Sequence, residues 1–451
     1  MHVGAAEVVI TPPLGVELVG YGPRRELRST AIHRQLTAQA LVFRDGARAA
    51  AVVACDLVAV TPEFVAAVRA RVEREAGIPS SNVLVAATHS HSAPSTGSLA
   101  DFGRTDREYV RLLARVVAGA VAWALRRAEP AQLYVGRQVH EGLGWNRTGA
   151  TTTVDHELHT LHAVSEAGAT LAMLAQHACH PVTLGPTTTI SPDFPGAFRE
   201  RIEEALPSCV ALYLNGACGD VDPITNRDAW GRGTTEDVER LGAGLADAGL
   251  AAMSGAEAVQ APAIGVTSGA LRLDFDLASP ESLQQQIARH AAEQRQRREA
   301  PDDTFGAPAE GEGSMPGFWL RYYRRLERRL QRGELQGFEL VELQALRLGR
   351  NAVLLAIPAE VYAEQGLQIK AESAFDHTLV VCYANGCCGY LPPEREFTEG
   401  GYTATLAAAA YDRPPFRSNV AQRLVERARA LLREARRERE PHLQPEQRSS
   451  G

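Results

Sequence analysis

Residues 50–95 read "AAVVACDLVAVTPEFVAAVRARVEREAGIPSSNVLVAATHSHSAPS". Residues 50–60 are a nearly unbroken apolar run of the length of one buried strand. Thr61 and Pro62 then open a helix: a hydroxyl suits the cap, and a fixed φ suits the first turn. Gly77 closes it. Residues 83–87 are apolar again, and His-Ser-His follows. Strand, helix, strand with both strands apolar on both faces predicts parallel pairing with the helix packed outside. Ligands of open α/β sheets lie beyond the carboxyl ends of strands, which is where His89 and His91 stand. Side chains two apart in extended chain point the same way. The pair can therefore face one pocket, one imidazole binding a metal, the other bonding a substrate oxygen or carrying a proton.

The unit returns twice. "TLAMLAQHACH" (170–180), "PGAFRERIEEAL" (195–206) and "VALYL" (210–214) form the second copy, and "NAVLLAIPAE" (351–360), a helical stretch to about residue 375 and "TLVVCYA" (378–384) the third. Asp45-Gly46 is a favoured hairpin turn that joins one further strand, from about residue 38, to the first strand of the first unit. The predicted class is α/β: mixed, largely parallel sheets built from repeated strand–helix–strand units with helices outside. Residues 1–440 are expected to form one domain with a charged helical insertion at about 279–335, and residues 441–451 a disordered tail. Each long apolar strand ends in a residue able to bind metal or move a proton: His89 and His91, His180, the "GDVDP" segment, Glu360 and Tyr390. His177 competes with His180. Buried polar groups require partners, and two imidazoles, a carboxylate and an open position make a catalytic zinc set.

A formal net charge of −7 argues against a nucleic-acid footprint. No apolar stretch approaches the roughly 18–20 residues of a membrane span. The N-terminus shows no basic region leading into an apolar one, so a cytoplasmic chain is expected. The seven cysteines, Cys55, Cys179, Cys209, Cys218, Cys382, Cys387 and Cys388, have no regular spacing. They are expected to be reduced core residues.

With these residues aligned, the sequence resembles the catalytic domain of the neutral (non-lysosomal) ceramidases, zinc amidohydrolases that cleave N-acylsphingosine. "AEVVITPPLGVELVGYG" is similar to the family's N-terminal stretch, "ATHSHSAPS" to its His-Thr-His-Ser-Gly-Pro motif and "WNRT" to its Asn-Arg-Ser segment. "HACHPVTLG" with "SPDFPG", "GDVDP", "IPAE" and "GYLPPEREFTEGGYTA" follow in the family's order. The resemblance implies zinc held by His89, His180, Glu360 and Tyr390, with Tyr402 as rival for the phenol. It implies that His91 and Arg147 hold the scissile carbonyl oxygen as it becomes an oxyanion.

Asp222 stands where the family carries serine, which points to water as nucleophile and to Asp222 as base or as binder of the substrate amine. Asp193 is expected to orient a ligand histidine, and Asp220 to cap its glycine-rich turn. Gly185-Pro186 and "TTTISPDF" depart from the family's pocket wall, and no counterpart of its C-terminal immunoglobulin-like domain is expected. The expected function is zinc-dependent hydrolysis of a linear amide in a small-molecule N-acyl substrate, smaller or more polar than ceramide. The alternatives are a zinc esterase or lactonase on the same site, or a non-catalytic binding protein.

Overall fold

The computed structural model describes residues 1–22, 28–299 and 316–437. The expected tail, and the centre of the expected insertion, lie outside the described residues. Twelve strands build two sheets: β1 (His2–Val9), β2 (Thr37–Asp45), β3 (Arg48–Cys55), β4 (Val83–Ala87), β5 (Glu129–Val139), β6 (Glu157–Ser165), β7 (Thr170–His177), β8 (Val210–Asn215), β9 (Gly265–Asp274), β10 (Phe338–Arg347), β11 (Ala352–Ala356) and β12 (His377–Val381). The larger sheet runs β8-β7-β6-β5-β1-β2-β3-β4, with the short strand Glu257–Ala258 added on β5; the smaller runs β9-β10-β11-β12. The helices are α1 (Pro62–Ala76), α2 (Arg107–Arg126), α3 (Phe194–Ala205), α4 (Thr235–Ser254), α5 (Pro280–Glu299), α6 (Pro316–Gln331) and α7 (Ala363–Ala371), followed by short turns and the helix Val420–Arg437.

Alternation along the strands explains why they read as unbroken apolar runs. Ala50, Val52 and Ala54 of β3 share one core with Leu354 and Ala356 of β11, between the two sheets. Ala51, Val53 and Cys55 of β3 face the helices instead, as do Val353 and Leu355 of β11. The two sheets thus pack face to face. Helices α1 to α4 lie on the outer face of the larger sheet, and α7 with Val420–Arg437 on that of the smaller. A strand buried on both faces has no polar side to display.

The parallel pairs are β3/β4, β7/β8 and β11/β12, one for each strand–helix–strand unit. The expectation of largely parallel sheets holds within these units; the strands between them pair antiparallel. The reason is local. Tight turns such as Asp45-Gly46 join neighbours directly, and only a crossover helix can return a chain to run parallel. The α1 crossover carries its expected caps: Thr61 accepts from the Phe64 N–H at 3.2 Å, and Gly77 takes φ 69°. All seven cysteines are free and buried. Among the described residues no helix is long and apolar enough to cross a membrane.

Candidate metal centre

The carboxyl ends of all three parallel pairs meet. Thr88 and His89 leave β4 with their N–H groups on the carbonyls of Cys55 (2.8 Å) and Leu57 (2.9 Å). His89 takes φ 73°, a left-handed conformation rare for a residue with a Cβ. The expected extended His-x-His geometry is therefore not how the pair converges. The turn at His89 sets its ring at 86° to that of His91, with centroids 4.6 Å apart and the two Nε2 atoms 3.1 Å apart. His180, three residues beyond β7, brings its ring centroid to 4.8 Å from that of His89. Glu360, four residues beyond β11, lies beside Tyr390 in an isolated parallel bridge, its N–H on the Gly389 carbonyl at 2.9 Å.

Backbone carbonyls set the imidazole tautomers. Nδ1 of His89 faces Val58 O at 2.5 Å, Nδ1 of His180 faces Cys218 O at 2.6 Å, and Nδ1 of His91 faces Gly20 O at 3.0 Å. A carbonyl only accepts, so Nδ1 carries the proton and Nε2 presents its lone pair. The Nε2 atoms of His89 and His180 each lie 3.3 Å from Oε2 of Glu360. Among the described residues the donor atoms of His89, His91 and His180 all fall within 4.8 Å of one another. Nε2 of His180 is buried without a hydrogen-bond partner. Lone pairs and a carboxylate aimed at one another repel unless a cation lies among them, so this donor set fits a divalent metal.

Burial strips charge from the His91 imidazole, helped by His89 and His180, and holds its pKa well below the ordinary value. Burial also lowers the pKa of His180, helped by the Arg147 cation. Tyr383 stacks on the His89 ring at 3.8 Å and donates to Glu360 Oε2 at 3.3 Å, while Tyr411 donates to Oε1 at 2.7 Å.

Arg147 enters from the short ribbon that pairs Gly144–Asn146 with Val221–Pro223. Its Nη2 donates to the Tyr390 hydroxyl (2.8 Å) and to Gly219 O (2.8 Å), and its Nη1 to Asp222 Oδ1 (3.0 Å). Burial works against the guanidinium charge, yet Tyr390, Asp222 and Glu360 raise its pKa well above the ordinary value. Asp222 is fully buried and its other oxygen accepts from Trp230 Nε1 at 3.1 Å. With both oxygens engaged it is not disposed as the free base or amine binder expected from the sequence; it is the counter-ion of Arg147.

Other expected residues lie elsewhere. Asp193 caps α3, accepting from Phe194 N at 2.7 Å and Leu184 N at 3.2 Å, so a carbonyl and not this acid orients His180. Asp220 accepts from Asn146 Nδ2 and from Ala363 N, both at 2.7 Å, tying the ribbon to the start of α7; burial pushes its pKa up to about 6. His177 accepts from Ala178 N at 2.6 Å and is absent from the histidine cluster. Tyr402 is half exposed, its ring 6.2 Å from that of Tyr390. Three contributors escaped the sequence reading: Tyr383, Tyr411 and Asn215, whose amide binds the carbonyls of Thr88 (3.1 Å) and Cys179 (3.0 Å). Asn215 carried a usable signal, because "NGACG" recurs as "NGCCG" in the third unit.

Two mixed sheets packed face to face form a fold that this chain shares with solved ceramidase structures. The structure of neutral ceramidase from Pseudomonas aeruginosa aligns with a TM-score of 0.70 at 18% identity, over 98% of this chain and 76% of that one. A ceramidase complexed with C2 aligns with a TM-score of 0.72, at the same identity and coverage. No protein-family model matches the chain, and no curated protein matches its sequence.

Proposed function

We propose that the protein is a zinc-dependent hydrolase that cleaves a linear amide, the N-acyl bond of a small molecule smaller or more polar than ceramide. The observation that carries the reading is the donor set. Three imidazole lone pairs, each fixed by a backbone carbonyl, converge with the Glu360 carboxylate, and none of these four groups donates to another. In this reading His89, His180, Glu360 and Tyr390 hold the ion, and the shared fold supports the assignment. Zinc, when bound, polarises a carbonyl and lowers the pKa of water towards about 7.

The remaining roles belong to the chain. Arg147 is a cation fixed by three acceptors, beside the phenol of the ligand set, and stabilises the oxyanion formed from the amide carbonyl. His91 presents Nε2 as an acceptor and lies in contact with His89. It takes the proton of the attacking water and returns it to the leaving amine nitrogen. Asp222 positions Arg147. The low-dielectric burial of this set strengthens each of these interactions.

Elemental analysis of purified protein, with hydrolysis of N-acyl amines measured beside their matching esters, tests the reading. About one equivalent of zinc, lost in Glu360→Gln together with amide hydrolysis, is expected. Less than about half an equivalent of any transition metal overturns it. Esters cleaved while the matching amides are left intact would move the assignment to an esterase.

A further inference from the structure

Asp222 has a second partner besides Arg147. Trp230 donates its indole N–H to Asp222 Oδ2 at 3.1 Å, and its side chain is 47% exposed. A large aromatic residue held at the surface by a fully buried carboxylate cannot swing inward to bury itself, and exposed tryptophan is costly. Its ring meets Tyr21 edge-on, with centroids 6.0 Å apart at 77°. Tyr21 in turn tilts over His91 at 5.2 Å, and His91 meets His89 at 4.6 Å. An aromatic wall therefore runs from solvent to the imidazole cluster. The Asp222 carboxylate lies against the Arg147 guanidinium and offsets its charge, so the wall ends beside a neutralised ion pair.

We propose that Trp230 is a specificity-determining residue: Asp222 locks its indole as a platform that takes an uncharged planar group of the substrate beside the scissile amide. This rests on the hydrolase reading for its kinetic consequences, but not for binding itself. Flat aromatic faces favour stacked or edge-on partners over flexible chains. An anionic group on the indole would also meet the Asp222 carboxylate that holds it, so the platform favours an uncharged one. Asp222 is here a positioning residue for two neighbours, one governing orientation of the substrate and the other its chemistry.

The test compares N-benzoyl, N-acetyl and N-succinyl derivatives of one primary amine. The wild-type protein is expected to prefer benzoyl. In Trp230→Ala the benzoyl-to-acetyl ratio of kcat/KM falls about three- to tenfold, and Trp230→Phe restores part of it. Asp222→Asn, which removes the matching charge, shifts preference towards succinyl. In parallel, the N-benzoyl compound is titrated against intrinsic tryptophan fluorescence, and saturable quenching in wild type is expected to be lost in Trp230→Phe. If no variant hydrolyses anything, the hydrolase reading fails while that quenching still supports the platform. An unchanged ratio in Trp230→Ala, a wild-type preference for succinyl, or equal quenching in wild type and Trp230→Phe overturns it.

Discussion

Two turns of this molecule are spelled alike and do different work. Asn215-Gly216-Ala217-Cys218-Gly219 ends β8, and Asn385-Gly386-Cys387-Cys388-Gly389 follows β12. Both asparagines tie strand ends together. Asn215 donates to Thr88 O and Cys179 O and accepts from Cys179 N. Asn385 accepts from Val85 N and donates to Gln344 Oε1, both at 3.0 Å. The backbones differ, because Asn215 is the last residue of a strand whereas Asn385 takes φ 61°. The outputs differ as well. Carbonyls of the first turn orient His180 and Arg147, and the Gly389 carbonyl of the second anchors Glu360 beside Tyr390. The shared residues close strand ends, and the chemistry lies in what each turn holds: a cation and an imidazole on one side, a carboxylate and a phenol on the other.

The sharpest way to break this division is to empty one side of it. Arg147→Ala should lower kcat and kcat/KM together by about 10²–10³, as loss of one oxyanion donor does elsewhere. A fall of less than about tenfold in steady-state assays would reduce the first turn to scaffolding. The next effect separates the two asparagines. Asn215→Ala leaves two buried carbonyls and one N–H unpaired and should cost about 2–3 kcal/mol of stability in urea unfolding. At position 385 alanine meets left-handed backbone as well, so Asn385→Gly should be milder than Asn385→Ala. At position 215, inside a strand, glycine should be the worse of the two. The same ranking at both positions would show that the turns are conformationally equivalent.

Much of this was legible in the sequence, for a physical reason. Strands covered on both faces read as unbroken apolar runs, so β3, β4, β7, β8, β11 and β12 and their crossover helices stood out. The polar residue that ends such a run is buried where it must be paired, which is why His89, His180 and Glu360 could be named. The antiparallel strands that join the units are marked less strongly, although the Asp45-Gly46 turn does point to β2. Tyr383 and Tyr411 left no signal, because a phenol that donates one hydrogen bond to Glu360 looks in sequence like any buried aromatic. The roles of Asp193 and Asp222 depend on partners fixed by the fold: a local N–H for the first, and Arg147, seventy-five positions away, with Trp230 for the second. The left-handed turn at His89 leaves no trace in residue identity either.

A smaller perturbation probes what supports the second turn's carboxylate. Tyr411→Phe removes only the hydroxyl that donates to Glu360 Oε1, and support of this kind is worth about 10–100-fold in metal affinity. Competition with a chelator should show that loss, with the far-UV signal unchanged. No measurable loss would mean that Tyr383 alone suffices to orient the acid.

A further effect distinguishes the turns by pH. His177 lies where the first turn closes: its carbonyl accepts from Gly216 N at 2.8 Å and from the Tyr213 hydroxyl at 3.1 Å. Burial lowers its imidazole from 6.5 to about 3, and lowers that of His162, on the neighbouring strand β6, to about 4. Above pH 6.5 both forms of the protein hold these rings neutral, and there is no linkage. As pH falls below 6.5 the unfolded chain takes up protons that the folded one refuses, so stability falls until the folded pKa is reached. Each such group removes about 1.4 kcal/mol per pH unit within its window. Asp220, raised to about 6, works the other way, since the folded state gains its proton first as pH falls and is favoured between about 6 and 3.8. The difference between wild type and His177→Asn, in which the amide oxygen can still accept from Ala178 N, cancels that background. Unfolding free energies measured from pH 7 to 4 should therefore run about 1.4 kcal/mol per unit shallower in the variant. Parallel slopes would mean that His177 is protonated in the folded protein, and that the first turn is no more sensitive to acid than the second.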